Sequence, residues 1–454
     1  MKKRANYLIG ILLSAFFTTA VIAEEEKKAE KKWYDQVEFS GFVDVYYQYV
    51  ANNKQGAQYD SSRAFATYNK QFGVNAVELA LQKTADKASP WGFRINFMNG
   101  QNTTHQENNY GNANNTNNMN MLQEGFVSFY FPVMNGLTVD VGKMATHIGY
   151  ELLETVDNPN YTIGYIFFNT IPFIHTGARA ALSINDDWGF SFFLYNSVQG
   201  TGYNSANQQT GDHVYADGPN KAKAVGTQLS GQVVKQLKVV WNTIYGMDQA
   251  IARRTTMDEY IYQTYPSNTP GARPGSYTYD HWFVNEVILS ITPTDKLTVD
   301  LDYTYGEKVG ASAPNTNSGA TVSGLLVNRD GRNVKRIYNT YGAWIKYAFT
   351  EKFLLALRYE YIDDSRYGGS MAVTRNDSYR YDLSYKSTSG YGDKKGTGAQ
   401  VRTFTITPTY NWSENMIVKL DLRRDWGMGT PFVDESGRPA SYQNGATLGI
   451  VAKF

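Results

Sequence analysis

The 454-residue chain contains no cysteine. That excludes a disulfide framework, a thiolate metal centre, a cysteine nucleophile and the lipidated cysteine of a lipoprotein. Beyond its amino-terminal segment there is no run of roughly 18 or more apolar residues, so no helix is expected to span a bilayer. An excess of one charge is missing too. Lys and Arg number 43 and Asp and Glu 42, leaving a net charge of +1. Nothing in that balance favours nucleic acid or an acidic partner. Histidine is scarce, with five residues. None lies in an HExxH pattern, and no Ser lies in a nucleophile-elbow pattern.

Aromatic residues and glycine are abundant: 35 Tyr, 23 Phe, 8 Trp and 40 Gly. The chain starts MKKRANYLIGILLSAFFTTAVIA, with basic Lys2, Lys3 and Arg4, a short apolar stretch from Leu8 to Phe17, and small-residue context at Val21-Ile22-Ala23. This is the layout of a cleaved secretory signal peptide, expected over residues 1–23. The mixed charge run Glu24 to Lys32 that follows reads as a solvated tether, placed at residues 24–36.

From residue 37 onward the pattern has a period of two. Val37, Phe39, Val43, Val45, Tyr47 and Tyr49 alternate with Glu38, Ser40, Asp44 and Gln48. Leu297, Val299, Leu301 and Tyr303 alternate with Thr298, Asp300, Asp302 and Thr304. Phe353, Leu355, Leu357, Tyr359 and Tyr361 are set against Arg358 and Glu360, and Val418, Leu420 and Leu422 against Lys419, Asp421 and Arg423. Such segments number about sixteen, near 37–50, 72–83, 91–100, 121–131, 137–146, 175–185, 189–198, 223–234, 237–246, 282–292, 297–306, 337–348, 353–363, 400–410, 416–426 and 444–454. Each is close to the roughly 9–11 residues with which a tilted strand crosses a bilayer. In 400–410 neither phase is cleanly apolar.

The connections alternate short and long. Asp86 to Pro90, Pro132 to Gly136, Asn185 to Trp188, Thr292 to Lys296 and Asn411 to Asn415 are short and rich in turn formers. Between them lie long Asn-, Gly-, Ser- and Tyr-rich stretches such as Gly100 to Asn120. With both termini in the periplasm, every short turn is periplasmic and every long loop external, as in outer-membrane barrels. The last segment puts Ala446, Leu448, Ile450, Ala452 and the terminal Phe454 in one phase, an ending like that of the closing strand of such barrels.

An all-β fold is therefore expected: one transmembrane antiparallel β-barrel of about 16 strands over residues 37–454. Glu78, Arg94, Glu124, Asp140, Arg179, Lys346, Arg358 and Lys419 all fall opposite their apolar neighbours. A Lys or Arg facing lipid at the midplane costs roughly 2–4 kcal/mol, so these side chains are expected to face the lumen. Charges of both signs there imply a wetted channel, because burying them dry is prohibitive.

One stretch is distinctive in its residues: GKMATHIGYELLETVDNPNYTIGYIFFNTIPFIHTGARA, Gly142 to Ala180. Gly142-Lys143, Ile148-Gly149-Tyr150-Glu151, Asn158, Asn160-Tyr161, Pro172-Phe173 and His175-Thr176-Gly177 resemble the motif of the OmpL-like β-barrel porins of diderm bacteria. The resemblance implies an outer-membrane porin, exported and then embedded among outer-membrane lipids. Such a porin passes small hydrophilic solutes and ions by passive diffusion, and a homotrimer follows by analogy.

In this strand count the motif is the third external loop. Its apolar residues (Ile148, Leu152, Leu153, Tyr161, Tyr165, Ile166, Phe167, Phe168) are unsuited to water. Tucked inside, the loop would narrow the pore with Glu151, Glu154 and Asp157; otherwise it caps the rim or packs at an oligomer contact. Lys346, Arg358, Lys419 and Arg423 are expected to form a basic wall opposite those acids, with Arg94 and Arg179 also lining the pore. His147 and His175 bracket the loop and are expected to pin it as a hydrogen-bonded pair. His105 and His213 lie in polar loops, and Asp363-Asp364 and Asp186-Asp187 read as solvated pairs. No catalytic residues, cofactor or metal are expected. The other class is a surface adhesin or structural barrel with a plugged lumen, presenting the Tyr- and Arg-rich loops Gly306 to Arg336 and Asp363 to Ala399.

Overall fold

The computed structural model describes residues 33–51, 65, 68–105, 121–196, 198, 223–246, 281–309, 335–366, 400–428, 432–436 and 438–454. The expected signal peptide, the charge run as far as residue 32, His213 and most of both long Tyr- and Arg-rich loops lie outside them.

Alternation at every described segment yields strands. They are β1 (Glu38–Val50), β2 (Gln71–Lys83), β3 (Trp91–Asn99), β4 (Leu122–Phe131), β5 (Leu137–Ala145), β6 (Ile174–Ser183), β7 (Trp188–Tyr195) and β8 (Ala224–Val234). Then come β9 (Leu237–Gly246), β10 (His281–Thr294), β11 (Leu297–Val309), β12 (Lys335–Ala348), β13 (Phe353–Arg366), β14 (Gln400–Ser413) and β15 (Met416–Met428). β16 (Phe432–Val433) and β17 (Pro439–Ala440) pair only with each other, in the connection that leads to β18 (Tyr442–Lys453). Among the described residues, sixteen strands, all but β16 and β17, close into one barrel in which each pairs with its neighbours in sequence and β18 returns to β1. Every expected segment overlaps one barrel strand. The small β16–β17 ladder was not expected, since two-residue strands leave no periodicity to read.

The inner phase of β14 explains its unclear pattern. Val401, Thr403, Thr405, Thr407 and Thr409 are buried, while Phe404 and Tyr410 are exposed. Threonine is β-branched and suits a strand, yet its hydroxyl serves a polar lumen, so the row reads as neither face.

The closing seam, paired from Phe42 with Lys453 to Val50 with Gly445, is extended by Phe454. Phe454 donates its N–H to the Gly41 carbonyl at 3.0 Å, and the Gly41 N–H donates to the Phe454 carbonyl at 3.1 Å. The Phe454 ring lies 5.5 Å from that of Phe39 on the outer face. A Cβ on Gly41 would sit 2.3 Å from the Glu78 carbonyl oxygen and 2.8 Å from the Phe454 ring. Rings also ring the outer surface: Tyr410 with Trp412 (6.2 Å) and Phe349 with Phe353 (5.5 Å) near the turns, Tyr303 with Tyr341 (5.2 Å) and Tyr47 with Phe72 (5.0 Å) toward the loops.

Gly41→Val should therefore impair closure more than its position near a chain end suggests. Refolding into detergent micelles and comparing heated with unheated gel mobility is the check; a folded fraction equal to wild type would mean the seam tolerates a side chain.

Candidate functional site: the inward loop

Residues 146–173 join β5 to β6 and turn into the barrel. The turn inward starts at Gly149, whose φ of +109° suits glycine. Its N–H donates to Glu286 of β10 at 2.9 Å, and a Cβ there would meet Ile171 at 2.4 Å. Tyr150 donates to Asp300 of β11 at 2.7 Å, with its ring 4.2 Å from that of Trp344 on β12. Asn158 holds the next bend closed, accepting from the Leu152 N–H (2.8 Å) and donating to its carbonyl (2.7 Å).

The loop then crosses to the other wall. Thr155 and Tyr161 donate to Asp44 of β1, at 2.5 and 2.7 Å. Asn160 donates to Thr407 of β14 at 2.6 Å. Asp421 of β15 accepts from the Tyr161 N–H (3.1 Å), the Thr162 N–H (2.7 Å) and the Thr162 hydroxyl (2.6 Å). Helix α1 (Tyr165–Thr170) follows, and its Gly164 N-cap offers no side chain. Glu360 of β13 takes that role, accepting the Tyr165 and Ile166 N–H groups, both at 3.1 Å. Tyr338 of β12 donates to the Thr170 carbonyl at 2.6 Å. The loop's apolar side chains (Ile148, Leu153, Ile163, Phe167, Ile171, Phe173) form a buried cluster with Phe193, Tyr195, Ile244 and Val284 of the wall.

The cations expected on the wall all stand on the inward face. Arg358 is fully buried; it donates to Glu151 at 2.7 Å, to the Thr162 carbonyl, and to Thr405 at 3.0 Å. Glu151 also accepts from the Gly164 N–H (2.7 Å) and the Trp344 indole (3.3 Å). Lys419 donates to the Thr155 and Asn158 carbonyls, at 2.8 and 2.5 Å. Arg423 pairs with Asp425 at 2.6 Å, reaches the Ile163 carbonyl at 3.0 Å and lies 4.7 Å over the Tyr165 ring. Arg179 pairs with Asp140 (2.6 Å) and Arg94 with Glu124. Lys346 is half-buried and, among the described residues, forms no salt bridge. Glu154 accepts from Gln123 of β4 at 2.7 Å, and the Asp157 N–H donates to the Glu154 carbonyl at 3.0 Å.

Two expectations change. The basic wall does not face the acidic loop across water: Arg358 and Glu151 are in contact, and Arg358, Glu360, Asp421 and Asp425 are at most 1% exposed. Their burial is tolerated because the loop's N–H, carbonyl and hydroxyl groups take the place of water. Nor do the two histidines bond to each other. Their rings lie 6.5 Å apart; His147 stacks on Phe193 (3.8 Å) and bonds the Thr243 carbonyl (2.9 Å), while His175 stacks on Tyr195 (4.0 Å) and bonds Thr146 (3.0 Å). His175 thus ties the two ends of the loop together through Thr146, and His147 fastens the first end to β9. Burial pushes the His147 imidazole down to about 4, so it is neutral.

Of the motif residues, Gly149, Tyr150, Glu151, Asn158 and Tyr161 contact the wall or shape the loop. Pro172 and Phe173 lead out of it, and His175, Thr176 and Gly177 begin β6. A Cβ on Gly177 would lie 2.1 Å from the Leu194 carbonyl. The acids that receive the loop, Asp44, Glu286, Asp300, Glu360, Asp421 and Asp425, were not singled out as site residues. Their inward phase was readable for most, but nothing in the linear sequence joins them to residues 146–173.

A family model described as "Putative beta-barrel porin-2, OmpL-like" matches residues 36–454. No curated protein sequence matches the chain. Among solved structures, an anion-selective porin from Comamonas acidovorans is similar at a TM-score of 0.51 and 12% identity, over 92% of this chain and 99% of that one. OmpF of Salmonella typhi, in complex with daunomycin, is similar at a TM-score of 0.50 and 13% identity, over 92% and 97%. At these identities the shared property is the fold.

Arg358→Met should leave Glu151 buried without its counter-charge, weakening the docked loop by about 3–5 kcal/mol. New protease cleavage within residues 146–173 of an otherwise folded barrel would report it. Acidity should act in the opposite direction. Burial and the carboxylates Glu78 and Glu124 hold the Glu154 carboxyl well above its usual range, outweighing nearby Arg94. The docked state therefore binds a proton that a released loop gives up, and docking weakens as pH rises from the usual carboxylate range through the raised value. Cleavage should increase with pH, and Glu154→Gln should flatten the profile.

Proposed function

The chain belongs to the OmpL-like β-barrel porin family, and on that premise we propose that its solute path is defined by residues 146–173. It is a porin of the outer membrane, with the short turns toward the periplasm and the long loops outside. Small hydrophilic solutes and ions diffuse past the inward loop beside the half-buried Glu154, Asp157, Arg94 and Lys346, while Glu151, Arg179, Arg358, Lys419 and Arg423 are buried among their partners and hold the narrowest part in shape. The observation that carries this reading is the hydrogen bonding of one loop to opposite sides of the wall, from Glu286 of β10 to Asp44 of β1. Because both signs are present and largely paired, selectivity between ions is weak.

The remaining parts of the reading follow from family and pattern. Residues 1–23 are a cleaved signal peptide, 24–36 a periplasmic tether, and 37–454 the barrel. The protein acts without catalysis, and a homotrimer fits its outer apolar surface. A second reading, a structural or adhesive barrel with a closed lumen, is favoured by the full burial of Arg358, Glu286 and Asp421 beneath the loop.

Single-channel recording of the refolded mature chain separates the two. A porin gives steps that scale with salt, and replacing residues 150–170 by a short Gly-Ser linker should enlarge them. A silent wild type beside an open linker variant would mean that the loop closes the lumen at rest. Silence in both would support the structural barrel.

A further inference from the structure

Beside the middle of the inward loop, the wall carries more acid than its cations balance. Glu78 of β2 and Glu124 of β4 face the interior on either side of β3, and Glu154 of the loop has both carboxylates as neighbours. Asn96 stands on β3 between them. It pairs in register with Glu124, and it is diagonal to Glu78, which pairs with Met98. Side chains so placed on one face of adjacent strands reach one another.

Arg94, two residues before Asn96 in the same phase, is the cation of this group. It donates to Glu124 and, at 2.8 Å, to the Gln82 amide oxygen. The other Glu124 oxygen accepts the Ala145 N–H at 3.2 Å, so Glu124 is answered on both sides. Asp157, farther along the loop, has Lys419 and Lys453 as its neighbouring cations. Glu78 and Glu154 remain, with two negative charges between them.

Hydrogen bonds do not make up the difference. Glu154 accepts from Gln123 through Oε1 at 2.7 Å. Asn96 lies beside Glu78, but not in hydrogen-bonding geometry: neither end of its amide, nor Glu78 Oε2, has a partner among the described residues. Asn96 is 0% exposed and Glu78 7%. Protein interiors rarely leave such atoms unpaired. A proton on Glu154 removes one of the two charges and leaves the amide as it was.

A small cation that takes oxygen answers all three residues. Among the described residues no three His, Asp or Glu side chains gather closely enough to hold a metal by themselves; here the Asn96 amide adds an oxygen to two carboxylates. Calcium accepts roughly six to eight oxygens in flexible geometry, whereas magnesium gives up water reluctantly and demands a strict octahedron. Oxygens sealed from water on two strands and a loop suit calcium. Glu154 and Asp157 are half-buried, which opens a way in from the lumen. We propose that Glu78, Asn96 and Glu154 form a calcium site that ties the inward loop to β2 and β3. The two carboxylates match the charge of the ion, and lumen water completes its shell. With its oxygen on the ion, the Asn96 amide turns its nitrogen toward carboxylates that accept it. The pH profile expected above for Glu154 is then that of the calcium-free protein.

The test uses the refolded mature chain in detergent micelles, stripped with EDTA and held at one neutral pH. Equilibrium dialysis against radioactive calcium should find one site per chain in wild type. Glu154→Gln, a change on the loop that leaves the strands intact, and Asn96→Leu should each weaken that site by roughly 10–100-fold. Brief chymotrypsin digestion gives an independent readout: calcium should suppress cleavage within residues 146–173 of wild type and of neither variant. A wild type without saturable calcium binding would overturn the proposal. Binding or protection that is undiminished in either variant would do the same. Equal protection by magnesium, or by sodium at matched ionic strength, would also overturn it, by making the effect one of charge screening. Should Asn96→Leu not fold, Glu78→Gln takes its place beside Glu154→Gln with the same expected loss. None of these readouts depends on conductance, so a silent barrel leaves the test intact.

Discussion

A strand that faces hydrocarbon on one side can place its charges only on the other. Everything else in this barrel follows from that rule. Alternation sends Asp44, Glu286, Asp300, Arg358, Glu360, Lys419, Asp421 and Arg423 to a common interior, where each needs a partner. Some find one another on the wall, as Arg179 finds Asp140. Most of the rest are answered by a single excursion of the chain. The loop between β5 and β6 is less an obstruction placed in a pore than the set of donors and acceptors that lets these charges be buried.

The chemistry of that excursion is mostly backbone. Glu360 caps a helix, Asp421 accepts two successive N–H groups, and Lys419 and Arg423 take carbonyls. Side chains complete the arrangement where shape matters. Tyr161 fits because Gly449 of β18 leaves room; a Cβ there would meet the Tyr161 ring at 2.1 Å. The apolar half of the loop meets a patch of wall that is itself apolar, around Phe193, Tyr195 and Ile244. One loop thus satisfies two different surfaces, and its sequence carries both an acidic-polar half and an aromatic half for that reason.

Much of this was legible in the residues. Period-two alternation located all sixteen barrel strands because membrane strands are selected on one face by lipid. The inward phase of Arg358, Lys419 and Arg423 was legible for the same cause. Their partners were not. Glu151 is separated from Arg358 by 207 positions, and period carries no information on which strands a loop will meet. The histidines illustrate the limit: their positions at the loop's ends were readable, but stacking on Phe193 and Tyr195 depends on β7, which the motif does not contain.

The loop's distant partners carry a consequence for assembly. Its hydrogen bonds reach residues as far as 264 positions ahead in the chain. Residues 146–173 are made before β8 to β18, so at synthesis almost none of their acceptors exists. The segment therefore has to wait, undocked, until the last strands arrive and the seam at Phe454 closes. Docking is in this sense a report on completion: only a chain with all its strands in register presents Asp421, Glu360 and Asp44 at once. A barrel stalled before closure would keep this apolar loop exposed.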